Sequence, residues 1–198
     1  MKITVFFMWL LTSIVASEVS MLYAQVDERF ETKNAGERAV DQAIELVAGV
    51  SEEAGLADAS VFLKRIARAE SDLGRHPSTF RQGYHGGIWQ VDRMGYQETQ
   101  NVAAHPSLRR LHAAVALKFA AAGVAGVVWS QRTWADCLMP AYSCMAARLY
   151  LALIPAPIPY ALVDQAQYWK QYYNTLSGAG TERHFIEANE DYVEEDEG

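Results

Sequence analysis

The chain has 198 residues, of which 51% are hydrophobic and 21% charged; that is room for one globular core and excludes collagen-like, coiled-coil and wholly disordered classes. Its net charge of -7 is carried by residues 187–198, which hold seven acids and no base, so the remainder is formally neutral. A neutral body offers phosphate no basic field, which excludes sequence-independent nucleic-acid binding, and the acidic segment reads as a solvated, disordered tail.

Residues 1–24 read as a secretory signal. Lys2 forms a short basic region, Ile3 to Val15 is apolar and too short to span a bilayer, and cleavage after Ala24 leaves a mature chain from Gln25. The alternative is an anchored first helix; with a signal, the protein is secreted and has no stable membrane insertion. From there the apolar spacing is helical, without the alternation of a sheet, so the predicted class is mainly α. Gly36 to Gly55 is a first helix with Val40, Ile44 and Val47 on one face. Asp58 to Leu73 is a second, capped by Asp58 or Ser60 and stopped by Gly74 with Pro77 beyond. Gly74 to Gly95 is a polar loop with room for a short hairpin at most. Pro106 to Ala122 is a third helix, with Leu108, Leu111, Val115 and Phe119 inward. Pro140 to Ile154 lacks a polar face and is therefore a central, buried helix. Pro155, Pro157 and Pro159 force an extended connector, followed by helices over Ala161 to Asn174 and Thr181 to Asn189. Residues 25–186 form one domain without internal repeats, expected to be a monomer.

Export to an oxidising compartment favours pairing of the two cysteines, Cys137 and Cys144. In an unbroken helix they would stand about 10 Å apart along the axis, beyond disulfide reach. Pro140 starts a helix between them, which lets Cys137 fold back over the first turns. A disulfide and two buried thiols both satisfy this spacing.

The chemistry begins in the second helix. Phe62, Ile66, Glu70 and Leu73 recur down one side, while Lys64, Arg65, Arg68, Asp72 and Arg75 keep to the other, so Glu70 points at the core. A buried carboxylate without a cation responds by raising its pKa until it holds a proton near neutrality, which is the property of a general acid. The alternative is a structural Glu70, paired with an arginine such as Arg148 or capping a helix. Tyr84, Trp89 and Tyr150 are candidate sugar-stacking faces, whereas Trp129, Trp134, Tyr168 and Trp169 fit core positions. The five histidines show no HxxxH or HExxH spacing, so no metal or other cofactor is expected. No Gly-x-Ser-x-Gly elbow occurs.

After the second helix comes Gly86-Gly87-Ile88-Trp89-Gln90-Val91-Asp92, with Gln90 twenty residues beyond Glu70. With these residues the chain resembles the lysozyme-like superfamily, goose-type lysozymes and soluble lytic transglycosylases in particular. Those families carry a catalytic Glu followed by Ser near a helix end, as in Glu70-Ser71. Their Gly-Leu-Met-Gln motif is matched by Gly87-Ile88-Trp89-Gln90, with Trp89 where the family has Met, and the goose-type continuation by Gln90-Val91-Asp92. The helix from Ala146 to Leu151 looks like the family's groove-lining helix, with Tyr150 at its aromatic position. For the family's Ala-Tyr-Asn-Ala-Gly segment the counterpart is Tyr172-Tyr173-Asn174-Thr175, farther along the chain than the family spacing. No Asp or Glu lies between Leu73 and Gly86, which leaves Asp92 as the candidate second acid.

The resemblance implies a lysozyme-like helical domain that cleaves the β-1,4 glycan of bacterial cell walls, with Glu70 donating the proton and chitin as a further substrate. Asp92 either activates water on the opposite face of the sugar or only stabilises its loop. Gly86 and Gly87 permit a close approach of sugar or form a turn. Gln90 can pair with an acetamido group or clamp backbone, and Ser71 can bond substrate or merely end its helix. A lytic transglycosylase, in which the sugar's own hydroxyl replaces water, is the alternative enzyme; a non-catalytic glycan-binding protein is the alternative of another class.

Overall fold

The computed structural model describes residues 27–175 and 178–192; the predicted signal segment 1–24 and the end of the acidic segment, 193–198, lie outside them. Among the described residues there are seven α-helices and no strand: α1 Glu37–Glu53, α2 Ser60–Ser71, α3 Arg93–Glu98, α4 Leu108–Ala121, α5 Pro140–Leu151, α6 Leu162–Tyr168 and α7 Glu182–Glu187. Helix α6 runs on into a π turn, Trp169–Tyr173. None of these helices is long and apolar enough to cross a membrane.

Helix α5 is the axis of the fold, as its uniformly apolar sequence predicts. Pro140 opens it at a position where no amide hydrogen is needed, and every residue but Tyr150 is buried. It packs chiefly against α1, whose buried residues include Val40, Ala43, Ile44, Val47 and Val50, and α4 lies against the same α1. Tyr150 escapes burial because α5 ends at the cleft described below. The proline-rich connector is non-helical from Ile154 to Ala161, again as its residues require.

Four expectations change. No hairpin forms between Gly74 and Gly95; the loop instead ends in the unpredicted α3, started by the Asp92 side chain, which accepts the Gly95 amide at 2.6 Å. Helix α2 has no solvated charged side: Lys64 and Arg65 are buried, the Lys64 ammonium pairing with Glu37 and Asp41 of α1 and Arg65 Nη1 donating to Gln165 Oε1 at 2.8 Å. Long basic side chains manage this by covering apolar surface with their stems while their heads find partners. Cys137 and Cys144 are two free, buried thiols, not a disulfide. Cys137 ends up in a 3-10 turn, Trp134–Leu138, where its thiol lies 3.8 Å from the Tyr142 carbonyl. Burial pushes both thiols well above their ordinary pKa.

The fourth correction is to the domain boundary at 186. Asn189 is fully buried and its Nδ2 donates to the carbonyls of Arg65, at 3.2 Å, and Phe185, at 2.8 Å. Arg68 Nε donates to the Ala188 carbonyl at 2.9 Å, and the Arg65 and Arg68 guanidinium groups lie over the Tyr192 ring. Residues 187–192 therefore belong to the domain. Their aromatic and amide groups, not their acids, decide this.

Candidate active site

Glu70 stands in the last turn of α2. Beyond it the chain turns sharply through three consecutive left-handed residues, Asp72 (φ 48°), Leu73 (φ 55°) and Gly74 (φ 86°). Two of these carry side chains, at a cost of order 1 kcal/mol each, which neighbouring contacts must offset. The Leu73 amide closes on the Ala67 carbonyl at 3.0 Å and its own carbonyl accepts the Gly36 amide at 2.7 Å, tying the end of α2 to the start of α1. Ser71 takes part in this turn and does not reach the cleft. It is buried, its hydroxyl donates to the Ala67 carbonyl at 3.1 Å and it accepts the Gly74 amide at 2.8 Å, so it ends the helix with its one proton committed to the protein.

The partners of Glu70 come from the far end of the chain. The indole of Trp169, 99 residues away, donates to Glu70 Oε1 at 2.9 Å, and the Asn174 side chain makes a second hydrogen bond. The π turn explains how both reach one carboxyl: its Asn174 amide closes on the Trp169 carbonyl at 2.8 Å, five residues back, which stacks these two side chains on the same side. Lys170 Nζ fixes Asn174 through Oδ1 at 3.1 Å and reaches on to the Gly178 carbonyl at 2.8 Å. The following glycines are required by this packing. A Cβ on Gly180 would lie 2.4 Å from the Trp169 ring.

Around Glu70 lies an open cleft of about 380 Å³, lined also by Gln90, Asp92, Glu98, Tyr150, Tyr173 and Asn174. Burial raises the Glu70 carboxyl to a pKa of about 7, against the hydrogen bonds from Trp169 and Asn174, which lower it. Both of these partners are neutral, and Arg148, the cation a structural Glu70 would need, is engaged elsewhere: Nε donates to Ser51 Oγ at 2.9 Å and Nη2 to the Ala57 carbonyl at 3.0 Å. Tyr150 and Tyr173 meet edge to face with ring centroids 5.9 Å apart, the Tyr173 hydroxyl donating to the Trp89 carbonyl at 2.7 Å. Tyr173 and Asn174 thus join Glu70 despite their distance from Gln90 in sequence.

Two acids share the cleft with Glu70. Asp92 lines it while capping α3, so its Oδ1 is engaged by the Gly95 amide. Glu98, which the sequence reading missed, lines it from the last turn of α3 and has its Oε2 2.9 Å from His105 Nε2. Once Asp92 is read as a cap, Gly95 and Glu98 fall three apart on one helical face, which is the signal that would have found it.

The Gly86 to Gln90 segment is built differently. Trp89 is fully buried, its indole donating to the Leu63 carbonyl at 2.8 Å and its amide to Ser143 Oγ at 3.1 Å, so it is core and not a sugar platform. Gly87 (φ 64°) faces the protein and not a ligand: a Cβ there would lie 1.9 Å from the Cys137 carbonyl oxygen. Gln90 does line the cleft, but with its amide occupied. Nε2 donates to the Thr79 carbonyl at 3.2 Å and to the Gly87 carbonyl, while Oε1 accepts Arg81 Nη1 at 2.8 Å. Tyr84 stands behind Gln90 and is not part of the cleft lining. Its hydroxyl donates to the Gln90 carbonyl at 2.6 Å, its ring meets Trp134 edge-on, and burial pushes its phenol up to about 12.

Among the described residues no cluster of three His, Cys, Asp or Glu could hold a metal ion. Compared with known protein families, curated proteins and solved structures, the chain matches no family, no protein and no structure.

Proposed function

We propose that the protein is an exported, lysozyme-like glycosidase that cleaves β-1,4 bonds of cell-wall glycan, with Glu70 as the proton donor. The observation that carries this reading is the state of Glu70: a carboxyl in an open cleft, held by two neutral groups, with a pKa of about 7. A structural carboxylate in that position would be paired with a cation. A proton donor needs instead to hold its proton at working pH and give it to a leaving oxygen, which a pKa near neutrality allows. The Tyr150 and Tyr173 rings supply apolar faces for sugar CH surfaces, and the carboxylates of Asp92 and Glu98 favour positive charge developing on the sugar ring. The glycan identity rests on the resemblance of Glu70-Ser71, Gly87 to Asp92 and Tyr150 to lysozyme-like sequences; chitin shares the same backbone linkage.

One observation favours a second reading, the lytic transglycosylase. Asp92 Oδ1 is engaged as a helix cap, which favours a mechanism that needs no carboxylate base there, with the substrate's own hydroxyl replacing water. Clearing of purified cell walls by the mature protein and by Glu70→Gln tests the reading as a whole. The amide is isosteric but carries no transferable proton, so activity falls at least ~10²-fold while glycan binding persists. A reducing end in the products marks hydrolysis and an anhydro ring transglycosylation. Binding to walls by the wild type without any soluble product assigns the chain to glycan recognition instead, and unchanged activity in Glu70→Gln removes Glu70 from the chemistry.

A further inference from the structure

The cleft lining carries three carboxyls, Glu70, Asp92 and Glu98, and no lysine or arginine among the described residues. A glycan bearing acidic substituents would be repelled by such a lining unless positive charge is fixed at its mouth. One cation is fixed on Gln90, a residue of that lining. Arg81 is exposed, yet its guanidinium lies 3.5 Å from the centroid of the Tyr84 ring, and Nη1 donates both to Gln90 Oε1, at 2.8 Å, and to the Ser78 carbonyl, at 3.1 Å. Gln90 lines the cleft, and the Tyr84 hydroxyl is held on the Gln90 carbonyl. An exposed arginine ordinarily loses side-chain entropy whenever it grips a ligand; here the stacking and the two Nη1 bonds have already fixed it. Two bonds use Nη1 and a further side-chain hydrogen bond joins Arg81 to Tyr84, which leaves donors among the five N–H groups of the guanidinium to grip a carboxylate.

We infer that Arg81 is a specificity residue that reads a carboxylate on the glycan at the mouth of the Glu70 cleft, selecting acidic glycans over neutral ones of the same linkage. This rests on the proposed glycosidase reading and deepens it.

The experiment uses soluble glycan fragments of peptidoglycan with free carboxyl groups and the same fragments with those groups amidated. Affinity for each is measured on Glu70→Gln and on the double variants with Arg81→Gln and Arg81→Lys; cleavage of each is measured on the wild type and the single Arg81 variants. The preference for the acidic over the amidated fragment falls about tenfold in Arg81→Gln, the scale of one lost charge-assisted hydrogen-bond pair. Arg81→Lys restores only part of it, because an ammonium cannot form the fork. Because the readout is a ratio, any loosening of the 79–90 loop cancels. An unchanged ratio, with Glu70-dependent cleavage intact, overturns the inference and leaves the proposed function standing. If the wild type neither binds nor cleaves either fragment, both readings fall together.

Discussion

Two segments converge on Glu70, and they are built on opposite principles. In residues 86–92 nearly every polar group is committed to the protein: the Gln90 amide to Thr79, Gly87 and Arg81, the Trp89 indole to Leu63, one oxygen of Asp92 to Gly95. In residues 169–174 the polar groups meet the Glu70 carboxyl directly, through the Trp169 indole and the Asn174 side-chain amide. The first segment is a wall and the second is a hand on the acid. What differs is the currency in which damage should show. Changes in the wall cost stability, whereas changes in the hand alter the protonation of Glu70.

Gly87→Ala is the harshest way to probe that difference. Its Cβ would meet backbone at 1.9 Å, at a left-handed φ, and no flexible side chain can yield enough to admit it. A loss of more than ~3 kcal/mol in unfolding free energy follows, measured by urea titration, with residual activity tracking the folded fraction and the pH profile unmoved. A Gly87→Ala protein of native stability would mean the wall is not built as described.

Next in size is an effect on stability from the acid itself. The folded pKa of Glu70 is about 7 against an ordinary value of 4.5, so the folded state holds the proton more tightly. Stability is thus greatest below the lower value and declines as pH rises through that window. Glu70→Gln has no proton to lose. It should match the wild type near pH 4 and exceed it above pH 7.5 by roughly 1–3 kcal/mol, the upper figure being reduced because Glu70 is partly open to the cleft. Melting curves at both pH values check this, and equal stability at the higher one would show that Glu70 is not desolvated. Catalysis has the same sign: cleavage by a protonated Glu70 declines as pH rises through about 7.

The contrast between wall and hand also explains what could be read from the residues alone. Helical periodicity located Glu70 and turned it inward, and the unbroken apolar run gave α5 its central place, because both are signals within a few turns of one helix. The Glu70-Ser71 pair and the Gly86 to Asp92 motif point to Ser71, Gly87 and Trp89 as ligand contacts, but residue type and spacing cannot tell a glycine that admits a sugar from one that admits the Cys137 carbonyl. Trp169 fits a core position by its helical phase, and it is buried. Its indole N–H nevertheless faces Glu70, a pairing across 99 residues that depends on a π turn no local pattern announces. Glu98 was hidden for a simpler reason, the unpredicted α3.

Trp169→Phe sharpens the distinction further. The ring is kept in large part, so the stability cost is about 1–2 kcal/mol, but a hydrogen bond that holds the Glu70 pKa down disappears. The limb of the pH profile that falls toward high pH should therefore move to higher pH, and the maximal rate should drop roughly tenfold as the carboxyl loses its fixed orientation. A profile unmoved in Trp169→Phe would reduce this indole to a packing role and erase the difference between the two segments.

The smallest expected effect concerns Asp92, which stands in the wall yet faces the cleft. Asn caps a helix about as well as Asp, so Asp92→Asn keeps the Gly95 bond and should change stability by less than ~0.5 kcal/mol. If the carboxylate serves mainly as that cap, cleavage falls only a few-fold, through the loss of one negative charge near the sugar. A carboxylate that removed a proton from the attacking water would behave otherwise, since an amide cannot accept one, and the rate would fall ~10²-fold or more. The engaged Oδ1 leads us to expect the smaller loss. Glu98, whose Oε2 lies beside His105 Nε2, is the other acid in the lining, and Glu98→Gln separates the two outcomes that remain. A large loss there, with reducing ends in the wild-type products, makes the enzyme a hydrolase with Glu98 as its second carboxylate. Small losses in both variants, with anhydro products, leave Glu70 as the sole acid of a transglycosylase.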